Sequence, residues 1–282
     1  MLDYCAKRVY LLRFDDERVT NLMDALKEIK DLVDSSGNTF HVKVARWFEC
    51  HGWYVVVSPY YMDNSQAKAR EIDLVVERPW PIHDTFGRPT GDVVIRLYVE
   101  CKYLTSYSAF WFAKKDMDLV EELICSSGIF SKNNSYTNRH HYLADNFAAK
   151  LFATRGSGEN DPFYKALNQV LNALVSLRTH PLRHPSVLKR GSCKAILEYP
   201  VVICSSFNKV FEIDFYGHAE NKPVEGNFQL EVQYAYTAKT GQPCNQYFLI
   251  DIVSEDKLDD FQAAITADAE AAATLLYDQY DG

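Results

Sequence analysis

The stretch VVIRLYVECKYL, residues 93–104, decides how the rest of the chain is read. Its apolar, largely β-branched run is that of a strand buried inside a sheet. Side chains two apart on a strand point to the same face, so Glu100 and Lys102 lie together at its end while Val99 and Cys101 take the opposite face. A carboxylate and an ammonium thus stand where packing favours Val or Ile.

An acid-x-Lys triplet alone carries little information. The sequence holds four, and three have ordinary settings: Glu28 and Lys30 on a solvated helix face, Glu220 and Lys222 in a turn with Asn and Pro, Glu255 and Lys257 at a helix start. Only Glu100 and Lys102 finish an apolar strand. The segment before it, REIDLVVERPW (70–80), reads as a strand too and sets Glu71 and Asp73 ahead of Leu74, Val75 and Val76. A buried carboxylate is costly unless it is paired, hydrogen-bonded or bound to a metal. Two acids brought to one spot by neighbouring strands repel, and a hard divalent cation such as Mg²⁺ or Mn²⁺ removes the repulsion. A Lys beside that pair can hold a water or stabilise negative charge in a transition state. The plain alternative is an ion pair on an edge strand, with Asp73 at a solvated strand end.

Working outward, residues 19–34 place Val19, Leu22, Leu26, Ile29 and Val33 on one helical stripe, and Ser35 to Asn38 end it. Thr39 is a fitting N-cap for a second helix, 40–51, which Gly52 stops before the strand WYVVVSPYY (53–61). Residues 81–92, with two Pro and two Gly, read as a loop. Helices are expected around 115–126, 141–154 and 162–178, and strands over 194–206, 209–217, 227–237 and 246–254. A helix over 256–277 follows. The order predicts an α/β protein with a mixed central β-sheet flanked by helices.

The helix 40–51, the strand after Gly52, Asp73 in I-D-L-V and the strand ending in Glu100-Cys101-Lys102 together resemble the PD-(D/E)XK nuclease superfamily, closest to its Mrr-type restriction endonuclease branch. The likeness covers roughly residues 40–205. It implies a restriction-endonuclease-like core with extra C-terminal antiparallel strands and a terminal helix. By this resemblance the chain divides into an N-terminal helical extension (1–39) and a nuclease domain (40–282) whose residues 200–282 elaborate the core. Asp73 and Glu100 would bind Mg²⁺ (or Mn²⁺), joined by the Cys101 backbone carbonyl, and Lys102 would position the attacking water. Family members often carry a Gln or Lys from the helix after the motif into the site, for which Gln169 and Lys165 stand here. Their first helix often offers an acid well before the glycine, where this sequence has His41 and Val42. The implied activity is a metal-dependent endonuclease acting on DNA in a restriction or antiviral defence system. The reading from a different class is a catalytically silent nuclease-like fold that binds protein or nucleic acid.

Bulk properties set the frame. The 282 residues are 47% hydrophobic and 24% charged, an ordinary globular balance. The opening residues lack a secretory h-region and no apolar run is long enough to span a bilayer, so a cytoplasmic protein with no membrane partner is expected. Seven cysteines without CxxC pairs argue for reduced thiols, with Cys50, Cys101, Cys125 and Cys204 expected to be buried. The net charge of −8 is confined: residues 251–282 hold nine acids and one base, so residues 1–250 sum to zero. The acidic end is therefore a candidate surface for a homodimer or protein partner, and a basic groove elsewhere remains open to nucleic acid. Two basic stretches, 132–141 and 178–194, offer phosphate contacts, while His140, His141, His180 and His184 lack zinc spacing and read as surface residues. No phosphate-binding GxxxxGK[ST] loop is present.

Overall fold

The computed structural model describes residues 16–35, 38–63, 66–155, 162–178 and 193–281. Most of the second basic stretch, with His180 and His184, lies outside them. The chain divides into two compact units between Thr39 and Phe40. The first contains α1 (Asp16–Ser35), which carries Leu22, Leu26, Ile29 and Val33 at helical spacing. No helix among the described residues is long and apolar enough to cross a membrane.

The second unit begins with α2 (Asn38–Cys50), whose Phe40, Val44, Ala45 and Phe48 form one buried face. Gly52 ends it in the left-handed region (φ 80°), which a residue without Cβ adopts freely. The Trp53 N–H then reaches back to the Phe48 carbonyl (3.1 Å), and the two rings meet edge-on at 5.7 Å. This is a helix stop sealed by an apolar contact, and it aims the chain into the sheet.

The segment 53–61 is not one strand but two: β1 (Tyr54–Val57) joins the main sheet, and β2 (Tyr60–Asp63) pairs with β3 (Lys68–Glu71) in a separate hairpin. The segment 70–80 is likewise broken at Ile72–Asp73, where β3 gives way to β4 (Leu74–His83). Both breaks have one cause: the chain leaves the sheet and returns, with the Ser58 N–H bonded to the Asp73 carbonyl at 2.8 Å across the base of the excursion. The stretch 81–92 is mostly strand rather than loop. β4 and β5 (Pro89–Lys102) pair along a long antiparallel hairpin. Its tip is a tight turn in which the Asp84 carboxylate accepts from the Phe86 and Arg88 N–H groups. The long separation of Asp73 from Glu100 is filled by paired backbone.

Beyond β5 come β6 (Ser108–Lys114), α3 (Met117–Cys125), β7 (Phe147–Thr154), α4 (Pro162–Leu177), β8 (Cys193–Cys204), β9 (Val210–Asp214), β10 (Lys222–Pro223), β11 (Phe228–Thr237), β12 (Pro243–Ser254) and α5 (Leu258–Asp281). The helix expected over 141–154 is instead a short 3₁₀ turn, His141–Leu143, followed by β7, whose paired neighbours β6 and β11 override its local pattern. β6 was not foreseen. The ten strands run β1-β4-β5-β8-β12-β11-β7-β6-β9-β10, mixing parallel pairs (β5 with β8, β8 with β12) and antiparallel ones. β11 and β12 pair antiparallel as expected, yet β12 sits between β8 and β11 in the middle of the sheet rather than on an appendage.

The sheet buries both faces. Val93, Ile95, Leu97, Val99 and Cys101 of β5 pack on one side with α2, α3 and α5; Tyr98 points to the other, with α4. Alternation therefore sends Arg96, Tyr98, Glu100 and Lys102 towards the α4 side. Arg96 is matched in register by Glu77 on β4 and Glu198 on β8, with ion-pair distances of 2.8 and 3.2 Å. The six described cysteines are free, but Cys50 is exposed and Cys125 only half-buried, because both lie at the ends of their helices where the apolar face runs out.

Candidate functional site

Three chain segments meet at the carboxyl end of β5. Asp73 sits in the bend between β3 and β4, and its Oδ2 accepts from the Cys101 backbone N–H at 2.7 Å. β4 ends its pairing at Leu74 opposite Val99, so the last β5 residues have no strand partner on that side and their N–H groups are free to hold Asp73. The Asp73 N–H points back at Glu100 Oε1 (3.4 Å), and Glu100 Oε2 receives Lys102 Nζ at 3.2 Å. The three residues singled out by sequence pattern thus converge.

His41 joins them. Its Nε2 lies 3.2 Å from Asp73 Oδ2. It occupies the α2 position where the resemblance led one to look for an acid. A histidine there orients the carboxylate rather than adding another negative charge.

Burial is graded across this group. The Glu100 side chain is fully buried, whereas Asp73, Lys102 and His41 are 15, 20 and 25% exposed. Burial, and then the neighbouring Asp73, push the Glu100 carboxyl up to about 8, and Lys102 offsets this only in part. Without a further cation, the ionised form of this buried carboxyl is disfavoured. Two neighbouring carboxyl groups, one fixed by the Cys101 N–H and partly exposed, are donors of the kind a hard cation takes.

Lys165 and Gln169 lie elsewhere. Neither side chain bonds to Asp73, Glu100 or Lys102. Both line a groove of about 810 Å³ between α4 and the β2–β3 hairpin. The Tyr61 hydroxyl of β2 donates to the Gln169 backbone carbonyl at 3.3 Å, tying the hairpin to α4.

A second group of ligand-type side chains was not legible in the sequence. His140, His141 and Asp268 bring their ligand atoms within 4.8 Å of one another, all buried. These histidines are not surface residues, because α5 and β12 close over them. Asp268 of α5 bonds both the His141 backbone N–H (3.0 Å) and its Nδ1, and receives the Tyr199 hydroxyl at 2.9 Å. Asp251 of β12 faces His141 Nε2 at 3.3 Å. Burial alone would lower the His141 pKa, but Asp268 and then Asp251 reverse this and raise it to about 10. Burial takes His140 the other way, to about 3. The His141 imidazolium clamped between two carboxylates ties β12 and α5 together as a knot, while the same ligand atoms stand close enough for a metal to displace its proton. The knot also withdraws Asp251 and Asp268 from the acidic surface expected of the C-terminal region.

Of the first basic stretch, Lys132 is engaged with Glu122 (3.7 Å) and Arg139 lies over the Tyr136 ring (5.7 Å). Comparison with protein-family models, with curated proteins and with solved structures returns no match to this chain.

Proposed function

We propose that this chain is a metal-dependent nuclease that hydrolyses phosphodiester bonds, with DNA in a restriction or defence setting as its substrate. The observation that carries the reading is the meeting of Asp73, Glu100 and Lys102 at one strand end, with the ionised form of Glu100 disfavoured without a further cation. A structural ion pair explains Lys102 and Glu100 but not why Asp73 is held against them.

Asp73, Glu100 and the Cys101 carbonyl would hold Mg²⁺ or Mn²⁺, which when bound polarises a phosphoryl oxygen and acidifies water. Lys102, partly exposed beside Glu100, orients the attacking water and stabilises negative charge on the phosphate. His41 and the Cys101 N–H fix the Asp73 carboxylate in one rotamer, so its orientation is set before substrate arrives.

The test is cleavage of plasmid DNA, single-stranded DNA and RNA by purified protein with Mg²⁺ or Mn²⁺. Metal-dependent products from the wild type, lost in Asp73→Ala and Lys102→Ala with circular dichroism unchanged, are expected. Substrates left intact under all conditions overturn the enzymatic reading and leave a nucleic-acid-binding or protein-binding module.

A further inference from the structure

The groove between α4 and the β2–β3 hairpin is built differently from a phosphate track. Lys165, Gln169 and Asn172 follow one another at helical spacing along α4, on the side opposite the buried Phe163, Ala166, Val170 and Leu171. Asn172 lines the groove at 8% exposure, and the Tyr234 hydroxyl donates to its Oδ1 at 2.7 Å, which fixes the carboxamide and leaves its NH₂ as the group still able to donate. The Gln169 carboxamide, half-buried one turn away, has no side-chain hydrogen-bond partner among the described residues. Tyr164, 46% exposed, brings an aromatic ring to the same wall. The groove's one buried carboxylate, Asp63, is neutralised by Arg70, and Glu71 is the remaining acid.

Preset carboxamide donors and acceptors beside an aromatic face match the hydrogen-bonding edge of a nucleobase, whose two adjacent polar atoms a Gln or Asn side chain satisfies in pairs. Stacking on a tyrosine adds affinity. One chain segment joins the groove to the candidate site: Glu71 lines the groove, and Asp73 follows two residues on, past the bend at Ile72–Asp73. We infer that this groove receives one unstacked nucleobase of the substrate strand, with Gln169 and Asn172 reading its edge and Lys165 meeting the adjoining phosphate. The substrate class is therefore a strand with an unpaired base beside the scissile bond. The inference rests on the nuclease reading for the identity of the polymer.

The experiment measures binding without chemistry. Fluorescence anisotropy in EDTA compares labelled single-stranded dA, dC, dG and dT homopolymers and a blunt duplex, for the wild type, Gln169→Ala and Gln169→Glu. Expected are tighter binding of single strands than of duplex, and a preference for one base of about five- to a hundredfold. Gln169→Ala should abolish that preference, and Gln169→Glu should alter it. Equal binding of all four homopolymers by the wild type, or a preference that survives in Gln169→Ala, overturns the inference. Gln169 is half-exposed, so its variants fold where Asn172 variants could fail. Metal-dependent cleavage with no base preference sinks this inference and spares the nuclease. A Gln169-dependent preference without cleavage under any metal does the reverse.

Discussion

Two charged clusters in this molecule invite comparison, one at the end of β5 and one under α5. Both press carboxylates against cationic side chains, and both sit beside the same sheet. They differ in how completely their charges are matched. In the His141 knot, burial opposes the ionised Asp268 carboxyl, yet His141 and His140 hold it below the usual carboxylate range. At the β5 end Lys102 does not suffice, and Glu100 is held above that range. Burial of charge marks a structural role when partners close the balance, and a ligand-seeking role when they do not.

The sharpest break between the two clusters is expected from alanine replacement. Asp73→Ala or Lys102→Ala should lower cleavage by about 10³-fold while leaving the melting temperature nearly unchanged. Asp268→Ala should do the opposite, destabilising the fold by about 3–5 kcal/mol, because it removes one of two carboxylates from a buried imidazolium and leaves the Tyr199 hydroxyl and His141 N–H without their acceptor; urea denaturation reads this directly. A comparable stability loss in both sets would erase the distinction.

The next largest effect is a loss of stability with rising pH, which falls in different windows in the two places. Glu100 has a folded pKa of about 8, above the free value, so its ionisation costs nothing below ~4.5 and costs progressively more up to pH 8. Glu100→Gln in a chelator should therefore stabilise the protein by about 2–4 kcal/mol at pH 9 and leave it unchanged at pH 4. At the knot the decline comes from losing a favourable charge rather than from gaining a costly one, and over a higher window. With the His141 folded pKa at about 10, its stabilisation is fully present below ~6.5 and disappears as pH rises through 10. His141→Gln should flatten this alkaline decline, and an unchanged slope would place its cause elsewhere. Smallest of all, His41→Ala should reduce cleavage by about 10–100-fold, as loss of an orienting partner does, with Asp73 still in place. A wild-type rate in that variant would reduce His41 to a bystander.

The unequal legibility of the two clusters follows from sequence distance. Glu100 and Lys102 are two residues apart on one strand, so alternation alone puts them on the same face. Asp73 is 27 residues from Glu100 and was reached through pattern and resemblance. His141 lies 127 residues from Asp268 and 110 from Asp251, and nothing local distinguishes a buried His-His pair from a solvated one. Strand ends misread for the same reason. The break at Ile72–Asp73 comes from the excursion into the β2–β3 hairpin, and the propensities of those residues do not announce it. β7 looked helical locally and is a strand because β6 and β11 flank it.

Short-range physics in the sequence thus determined the apolar strands, the amphipathic α2 and α4, the stop at Gly52 and the shared face of Glu100 and Lys102. Only the tertiary structure decided that β12 lies at the centre of the sheet, that His41 meets Asp73, and that two histidines are sealed under the last helix. Periodicity is a property of neighbours along the chain, whereas charge balance is a property of neighbours in space, and the second cannot be counted until the sheet order is known.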